Sequence, residues 1–396
     1  MKFIHTSDWH IGRQLHNQSL LEDQRYVLEQ IVALAESEEV DAVVIAGDIY
    51  DRSVPPANAV ALLDEVLNRL VNELHISVFV IAGNHDGHER LGFAARQMAS
   101  SGLHIIGPLK AALKPVLIKA KQPREGRAAS AAFYGLPYAD PVTVRHVFTE
   151  TLGAKAVESI QTHEQAMALL LNQVRVQAAE QNVPQVVVGH CFLDGGEASD
   201  SERPLSIGGA ERISPSLFGD FNYVALGHLH GPQQKGAPQV RYSGSILKYS
   251  FSEQHHKKSV TLVTLDENGQ ASVELHALKP LRNLRVVEGM LMDLLEQGKA
   301  DPQRDDYLMI RLLDRQAILD AMGKLRAVYP NVMHLERSGL MAQKQTLALS
   351  RDHVKKGERV MFEDFFEQVS GESLSEAQQA LLNETLAEIH KTERQQ

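Results

Sequence analysis

The sequence predicts an α/β protein built on a mainly parallel sheet, and three observations carry that prediction. Short apolar runs of strand length, Ala42 to Ala46 and Ile76 to Ala82 among them, alternate with segments whose apolar residues recur at helical spacing. Several of these runs stop at a glycine followed by Asp, Asn or His. From Leu281 the grammar changes to a second, shorter alternation of strands and helices, which marks a separate α+β module.

Residues 2 to 7 read as a strand that runs into Asp8-Trp9-His10. Asp8 and His10 are two apart, so extended backbone would aim both to one side. Leu20, Val27, Ile31 and Leu34 then predict a helix over residues 20 to 36. The stretch Asp41 to Asp51, DAVVIAGDIYD, is a buried strand that ends in Gly47 and Asp48, a carboxylate on a fixed backbone that glycine lets another group approach. Pro55-Pro56 opens a second helix with Val60, Leu63, Leu67, Leu70 and Leu74 on its buried face. The strand Ile76 to Ala82 ends in Gly83-Asn84-His85-Asp86. In open α/β sheets such carboxyl ends are where ligands bind.

Residues 103 to 140 read as three shorter strands joined by a basic loop, whose Lys119, Lys121, Arg124 and Arg127 fit a solvated hairpin tip. A helix from Ile160 to Gln181 leads to the strand Gln185 to Val188 and Gly189-His190. Residues 191 to 219 form an extended loop rich in Gly, Ser and Asp, of a length that is usually functional. The strand Asn222 to Leu226 ends in Gly227-His228-Leu229-His230, and three further strands close a first domain, 1–278. Domain 279–340 holds strands at 284–288, 307–313 and 332–337 and helices at 290–298 and 316–328. The last segment, 341–396, is a polar linker followed by a helical pair. Met361, Phe362, Phe365, Phe366 and Val369 stripe the first helix, Gly371 ends it, and Ser373 with Glu376 forms a capping box for the second. That second helix shows Leu374, Ala377, Leu381, Leu382, Leu386 and Ile389. Phe362, Phe365, Phe366, Leu381, Leu382 and Leu386 are read as a docking surface for a partner protein.

Composition narrows the chemistry. Of 396 residues, 43% are hydrophobic and 23% charged, ordinary for a soluble globular protein of two or three domains. No apolar run approaches the roughly 20 residues that span a bilayer. The N-terminus enters a strand pattern directly, which points to the cytoplasm and away from a membrane. A single cysteine, Cys191, rules out an internal disulfide and a thiolate cluster, and reads as a small buried hydrophobe. A net charge of −10 argues against coating nucleic acid by bulk electrostatics, but bound cations let an acidic enzyme hold phosphates.

Collected, the strand-end residues are Asp8, His10, Asp48, Asn84, His190, His228 and His230, all oxygen or imidazole donors. The set suits two cations about 3.5 to 4 Å apart. Asp48 is the expected bridging ligand. Asp8, His10 and His230 complete one position, and Asn84, His190 and His228 the other. Carboxylate, amide and imidazole without thiolate favour manganese or iron over structural zinc. Water between the metals is the expected nucleophile. His85 projects elsewhere, with Asp86 expected to orient its ring and hold it protonated, so the pair is expected to be catalytic.

The motifs DWH, GDIYD, GNHD, GH and GHLH, in that order, resemble the calcineurin-like metallophosphoesterase superfamily. HTSDWHIG, GDIYDRSVPP, YVALGHLHGPQ, RYSGSILKYSFSE and the terminal helical pair resemble, within it, the SbcD family of bacterial nuclease subunits. The resemblance implies a four-layer αββα core, a DNA-capping α+β domain, and tail helices that bind an SbcC-type coiled-coil ATPase. It also implies a homodimer with manganese-dependent exonuclease activity on double-stranded DNA and endonuclease activity on single strands or hairpins, acting in DNA repair and recombination. The family's seven metal ligands fall on the positions named above and its catalytic His on His85. Asp51 departs from relatives that carry His there. GDIYDR also resembles a phosphoprotein phosphatase box, but those enzymes place Glu after GNH, where this chain has Asp86. An inactive scaffold would lack ligands, and none is missing.

Overall fold

The computed structural model describes residues 1–203, 211–316, 318–338, 358–370 and 373–393. The chain divides into two compact units, Met1–Leu281 and Arg282–Gln396. The main strands of the first unit are, in chain order, β1 (Lys2–Thr6), β2 (Ala42–Ala46), β3 (Ser77–Ile81), β4 (Leu103–Ile106), β5 (Val116–Lys119), β6 (Ser130–Leu136), β7 (Gln185–His190), β8 (Tyr223–Gly227), β9 (Gln233–Lys235), β10 (Ala237–Tyr242), β11 (Ser259–Leu265) and β12 (Ala271–Ala277).

They form two six-stranded sheets, β12-β11-β1-β2-β3-β4 and β9-β10-β8-β7-β6-β5. In the first sheet β1 to β4 pair in parallel, with β11 and β12 antiparallel at one side. In the second, β6, β7, β8 and β10 pair in parallel between two antiparallel edge strands. The sheets share one core. Phe3 of β1 meets Phe133 and Tyr223 of the other sheet edge-to-face at 5.5 and 5.6 Å. His5 spans the same gap with Nδ1 at 3.0 Å from the Tyr223 hydroxyl and Nε2 at 3.1 Å from the Leu226 carbonyl; burial lowers its pKa to about 3. Helices α1 (Leu21–Ser37) and α2 (Ala57–Asn68) are the crossovers from β1 to β2 to β3 and pack on each other. Helices α3 (Pro141–Leu152) and α4 (His163–Ala178) cover the second sheet, where Val144, Leu170, Leu171 and Val174 join its core. The layers are helix, sheet, sheet, helix.

Two local expectations need correction. The buried stripe of α2 is Ala59, Leu62, Leu63 and Val66, continued by Leu70 and Val71 in a π-turn, so Val60 is exposed. The shift lies within regular helix, where Ala59 and Leu62 rather than Val60 face the core. The helix expected over 160–181 begins at His163, where Thr162 and Gln165 form a capping box, and α3 before it was missed. Asp140 caps α3 by accepting from the Thr143 N–H, with Pro141 at its first position. The basic loop is the largely exposed tip of the β5–β6 hairpin, as expected, with Arg124 paired with Glu39 and Lys121 Nζ donating to the Leu74 carbonyl at 2.8 Å.

In the second unit β13 (Leu284–Gly289), β14 (Tyr307–Leu312) and β15 (Val332–Arg337) form a parallel sheet. Leu291 and Leu294 of α5 (Leu291–Ala300) and Leu325 of α6 (Ala321–Arg326) pack against Leu308 and Ile310. Helix α6 is shorter than the expected 316–328 because Asp320, at φ 51°, leaves helical backbone and caps it through Gly323. Helices α7 (Glu358–Ser370) and α8 (Glu376–Glu393) form as expected, but the cap of α8 is Ser375 with Gln378, whose side chain accepts from the Ser375 N–H at 2.9 Å. Ser373 instead donates to Glu367. Leu374 and Leu382 are buried, Phe366 and Leu386 half-buried, and Phe362, Phe365 and Leu381 exposed at 44%, 60% and 64%. The linker, Gly371, and the side chains of Met361, Val369 and Ile389 lie outside the described residues. No helix among the described residues is long and apolar enough to cross a membrane.

Because Phe3 fills the inter-sheet space with no exposure, Phe3→Ala should cost about 3–5 kcal/mol. Urea unfolding of the purified protein measures it, and a loss below about 1 kcal/mol would mean that the sheets do not depend on this contact.

Candidate metal centre

The carboxyl ends of the parallel strands from both sheets open on one place. Asp8 follows β1, Asp48 follows β2, Asn84 follows β3, His190 ends β7, and His228 follows β8. All seven expected ligands are drawn together here, and all but Asn84 are buried. Asp8, His10 and His230 form one cluster whose donor atoms lie within 4.8 Å of one another, and Asp8, Asp48 and His190 form a second. The Asn84 Oδ1 sits 2.9 Å from His190 Nε2 and 3.2 Å from His228 Nδ1. Asp48 Oδ2 lies between the groups, 3.6 Å from His10 Nε2 and 3.5 Å from His190 Nε2.

The backbone that delivers these groups is strained. Asp8, His10, Asp48 and His228 have φ of 52°, 44°, 51° and 106°, values few non-glycine residues adopt. The strand ends at Thr6, so Asp8 and His10 do not share a side through extended backbone as expected; two left-handed residues turn both inward. Backbone bonds hold the turn, Asp8 N–H to the Gly47 carbonyl at 3.1 Å and His10 N–H to the Asp48 carbonyl at 3.0 Å. Glycines are required where loops cross: a Cβ on Gly47 would strike the His190 ring, and one on Gly83 the Asp48 carboxylate.

Hydrogen bonds at the outer ring atoms fix what faces inward. His190 Nδ1 donates to the Ala46 carbonyl at 2.9 Å, so the neutral ring presents a bare Nε2 to Asn84 and Asp48. His230 Nδ1 lies 2.5 Å from Ser201 Oγ and 3.3 Å from Glu253 Oε1, which turns its Nε2 toward His10 Nε2, 3.1 Å away. Acceptors thus face acceptors across the centre, a donor set that fits cations. Protons can serve in their place. Burial opposes charge on His190, but Asp48 overrides it and raises the ring to about 9. Burial likewise works against the Asp48 charge, yet His190 and His10 hold that carboxyl well below its ordinary range. Burial pushes Asp8 up to about 6 and His228 down to about 3, and it also lowers His10. A divalent ion would displace the His190 proton and compensate the buried carboxylates.

His85 stands beside the centre with Nδ1 donating to the Asp51 carbonyl at 2.9 Å and Nε2 at 4.0 Å from Asp48 Oδ2. Burial lowers its pKa, with Asp48 opposing. Asp86 does not orient this ring. Its oxygens accept the N–H groups of Ile49, Tyr50 and Gly83 at 3.1, 3.0 and 2.9 Å, and burial with Asp48 nearby pushes it up to about 7. The reason is geometric: a buried carboxylate at the start of a loop satisfies backbone donors first. Cys191 is buried, and burial raises its thiol to about 12.

Several residues of this site carried no role in the sequence reading. Asp51 Oδ1 takes an ion pair from Arg13 at 3.1 Å while its carbonyl holds His85. Gln24 donates to the Trp9 and His10 carbonyls at 3.0 and 2.7 Å. Ser201, Glu253 and Lys258 surround His230. SFSE was visible as a motif, but nothing in its spacing linked it to GHLH.

The calcineurin-like phosphoesterase profile matches residues 1–232. The chain belongs to that family. A second profile, the type 5 capsule protein repressor C-terminal domain of SbcD, matches residues 280–370. The phosphoesterase is 34% identical over 390 residues to the SbcD subunit of the SbcCD nuclease of Staphylococcus epidermidis, covering 98% of this chain and 99% of that protein, which places it in the SbcD branch. Among solved structures it is similar to TT1561 of Thermus thermophilus, at 14% identity and TM-score 0.39 over 69% of this chain and 98% of the other. It is also similar to a dimetal phosphatase from Danio rerio, at 13% identity and TM-score 0.38 over 70% and 99%.

Gly83→Ala should push the Asp48 carboxylate out of place and weaken divalent-ion binding roughly tenfold or more while the phosphoesterase stays folded. Calorimetric titration of the metal-free variant measures this, and wild-type affinity would show that the carboxylate tolerates displacement.

Proposed function

We propose that the protein is a manganese-dependent DNA nuclease that hydrolyses phosphodiesters at a two-cation centre, as the nuclease subunit of an ATP-dependent complex. The observation that carries this is the convergence of Asp8, His10, Asp48, Asn84, His190, His228 and His230, none missing, at one edge of both sheets. The name of the Staphylococcus relative supports nuclease over phosphatase. Asp8, His10 and His230 would hold one ion, Asn84, His190 and His228 the other, with Asp48 shared. Carboxylate, amide and imidazole ligands without thiolate suit manganese. Two such ions supply charge neutralisation at the phosphodiester and acidification of the attacking water.

The chain's own groups do the positioning. Asp48, fixed by the His85 N–H at 2.8 Å, keeps its second oxygen between the two ligand groups. His85, pinned at Nδ1 by the Asp51 carbonyl, holds Nε2 toward the centre. A proton there stabilises charge on the phosphate and passes to the leaving oxygen. Asp86 fixes the two loops that carry Asp48 and Asn84.

The same reading extends to a cytoplasmic homodimer that acts on duplex ends and on single strands or hairpins, with residues 1–278 as nuclease, 279–340 capping the DNA and 341–396 binding an SbcC-type coiled-coil ATPase. Exposed Phe362, Phe365 and Leu381 beside buried Leu382 leave an apolar stripe for that partner.

Purified protein with its ATPase partner should remove label from end-labelled linear duplex DNA in manganese, and chelation should stop it. Asp48→Ala should abolish cleavage with circular dichroism unchanged, and His85→Gln should keep its bound ions while losing roughly 10²–10⁴-fold in rate. Hydrolysis of a phosphotyrosine peptide without loss of DNA label would overturn the nuclease reading. Deleting residues 360 to 396 should abolish co-purification with the ATPase and leave the ion stoichiometry intact; unchanged co-purification would remove the tail from the interface.

A further inference from the structure

Glu253 has no solvent exposure and sits in the turn Phe251–Glu253, remote in sequence from every ligand expected above. One of its oxygens accepts the Ser201 hydroxyl and lies 3.3 Å from His230 Nδ1, and the other accepts Lys258 Nζ at 2.5 Å. Ser201 Oγ is in turn 2.5 Å from His230 Nδ1. Lys258 is itself buried and also donates to the His230 carbonyl and to Ser245 Oγ, each at 2.8 Å. Glu202 completes the set by accepting the His230 N–H at 2.8 Å. His230 is therefore held at its backbone N–H, its carbonyl and its outer ring nitrogen.

A buried ion pair is a weak source of stability, since desolvating both charges offsets much of their attraction. This pair does something else. The ring proton of His230 is fixed on Nδ1, by a chain from His230 Nδ1–H to Ser201 Oγ–H to the Glu253 carboxylate, with a direct contact beside it. The other rings lack this support. His190 and His85 donate to neutral carbonyls, His228 Nδ1 faces the Asn84 amide oxygen at 3.2 Å, and His10 Nδ1, buried, has no hydrogen-bond partner, with the Asp51 carboxylate 4.0 Å away. Any acceptor behind a ligating imidazole fixes its orientation and raises its basicity, and a charged carboxylate does so more strongly than a neutral carbonyl.

Resting on the two-cation reading above, we infer that Glu253 is a positioning residue for His230, acting through Ser201 under the hold of Lys258, and that it makes the two cation positions unequal. The position of Asp8, His10 and His230 is reinforced by a buried carboxylate, and the position of Asn84, His190 and His228 is not. Ser199 and Ser201 reach this network from the extended loop after β7, so that loop forms part of the cation position of Asp8, His10 and His230.

The test is calorimetric titration of the metal-free full chain with manganese chloride. Wild type should take up two equivalents. Glu253→Gln should keep one equivalent at wild-type affinity and bind the other roughly 10–100-fold more weakly. Ser201→Ala leaves both buried charges in place, so it decides the matter if Glu253→Gln fails to fold; it should weaken the same equivalent, with metal-free melting unchanged. Asn84→Ala serves as reference and should weaken the other equivalent. Wild-type affinity at both positions in Ser201→Ala, or equal weakening of both, overturns the inference. Uptake of fewer than two ions by wild type would instead overturn the two-cation reading on which it rests.

Discussion

A carboxylate as buried as Asp48, at 2% exposure, must be compensated on every side, and the rest of the nuclease unit is arranged to do so. Its Oδ1 takes the His85 N–H, and its Oδ2 faces His10, His190 and His85 at 3.6, 3.5 and 4.0 Å. Those partners come from both sheets. The pairing β1-β2-β3 brings the loops of Asp8, Asp48 and Asn84 side by side, and the packing of the second sheet brings His190 and His228 against them. The apolar core that joins Phe3 to Phe133 and Tyr223 is thus also what sets the distance between the two halves of the centre. Loss of that core contact would be felt at the ligands before it was felt at the periphery.

Holding acceptors against acceptors has a conformational cost as well as an electrostatic one. Four of the seven convergent residues sit at positive φ, at about 1–3 kcal/mol each. The surrounding bonds over-determine them: Gln24 grips the carbonyls on either side of the Trp9–His10 link, Asp86 gathers three N–H groups from two loops, and Asp8 accepts the His228 N–H at 3.0 Å. These contacts make the loops part of the folded framework, so the fold itself places the convergent side chains.

The convergence of these residues was legible because most of them close a run of buried strand, several beside a glycine, which marks the place in one dimension. Asp48 after Ala42–Ala46 and His228 after the strand ending at Gly227 are of this kind. Glu253 and Ser201 were not, because their relation to His230 exists only through space and neither follows a strand. Asp51 was noticed as a departure from its relatives, yet what it contributes to His85 is its carbonyl, which any residue carries. Asp86 misled for the same reason: adjacency to His85 in sequence said nothing about the three backbone donors that claim it. In the fold, strands were easier than helices. In α2 the small Ala59 and not the larger Val60 faces the core, which a search for large apolar residues passes over, and a capping box two residues further on than Ser373 moved the start of α8.

The opposed pKa shifts at the centre follow from a single fact about its charge. Two carboxylates and several imidazoles share a buried volume, where His190 and His10 hold the Asp48 carboxyl well below its ordinary range and Asp48 raises His190 to about 9, against the burial of both. Asp8 moves the other way, to about 6, because burial and the neighbouring Asp48 charge outweigh the pull of His190 and His230. The proton on His190 occupies the donor atom that faces Asn84 and Asp48, so ion and proton compete for the same lone pair. His85 escapes that competition because its inward nitrogen lies at the edge of the cluster, 4.0 Å from Asp48 Oδ2, and its outer one is engaged by a carbonyl. One buried carboxylate therefore faces three imidazoles at 3.5 to 4.0 Å, and its charge ties together the chain segments that follow β1 and β3 and the end of β7.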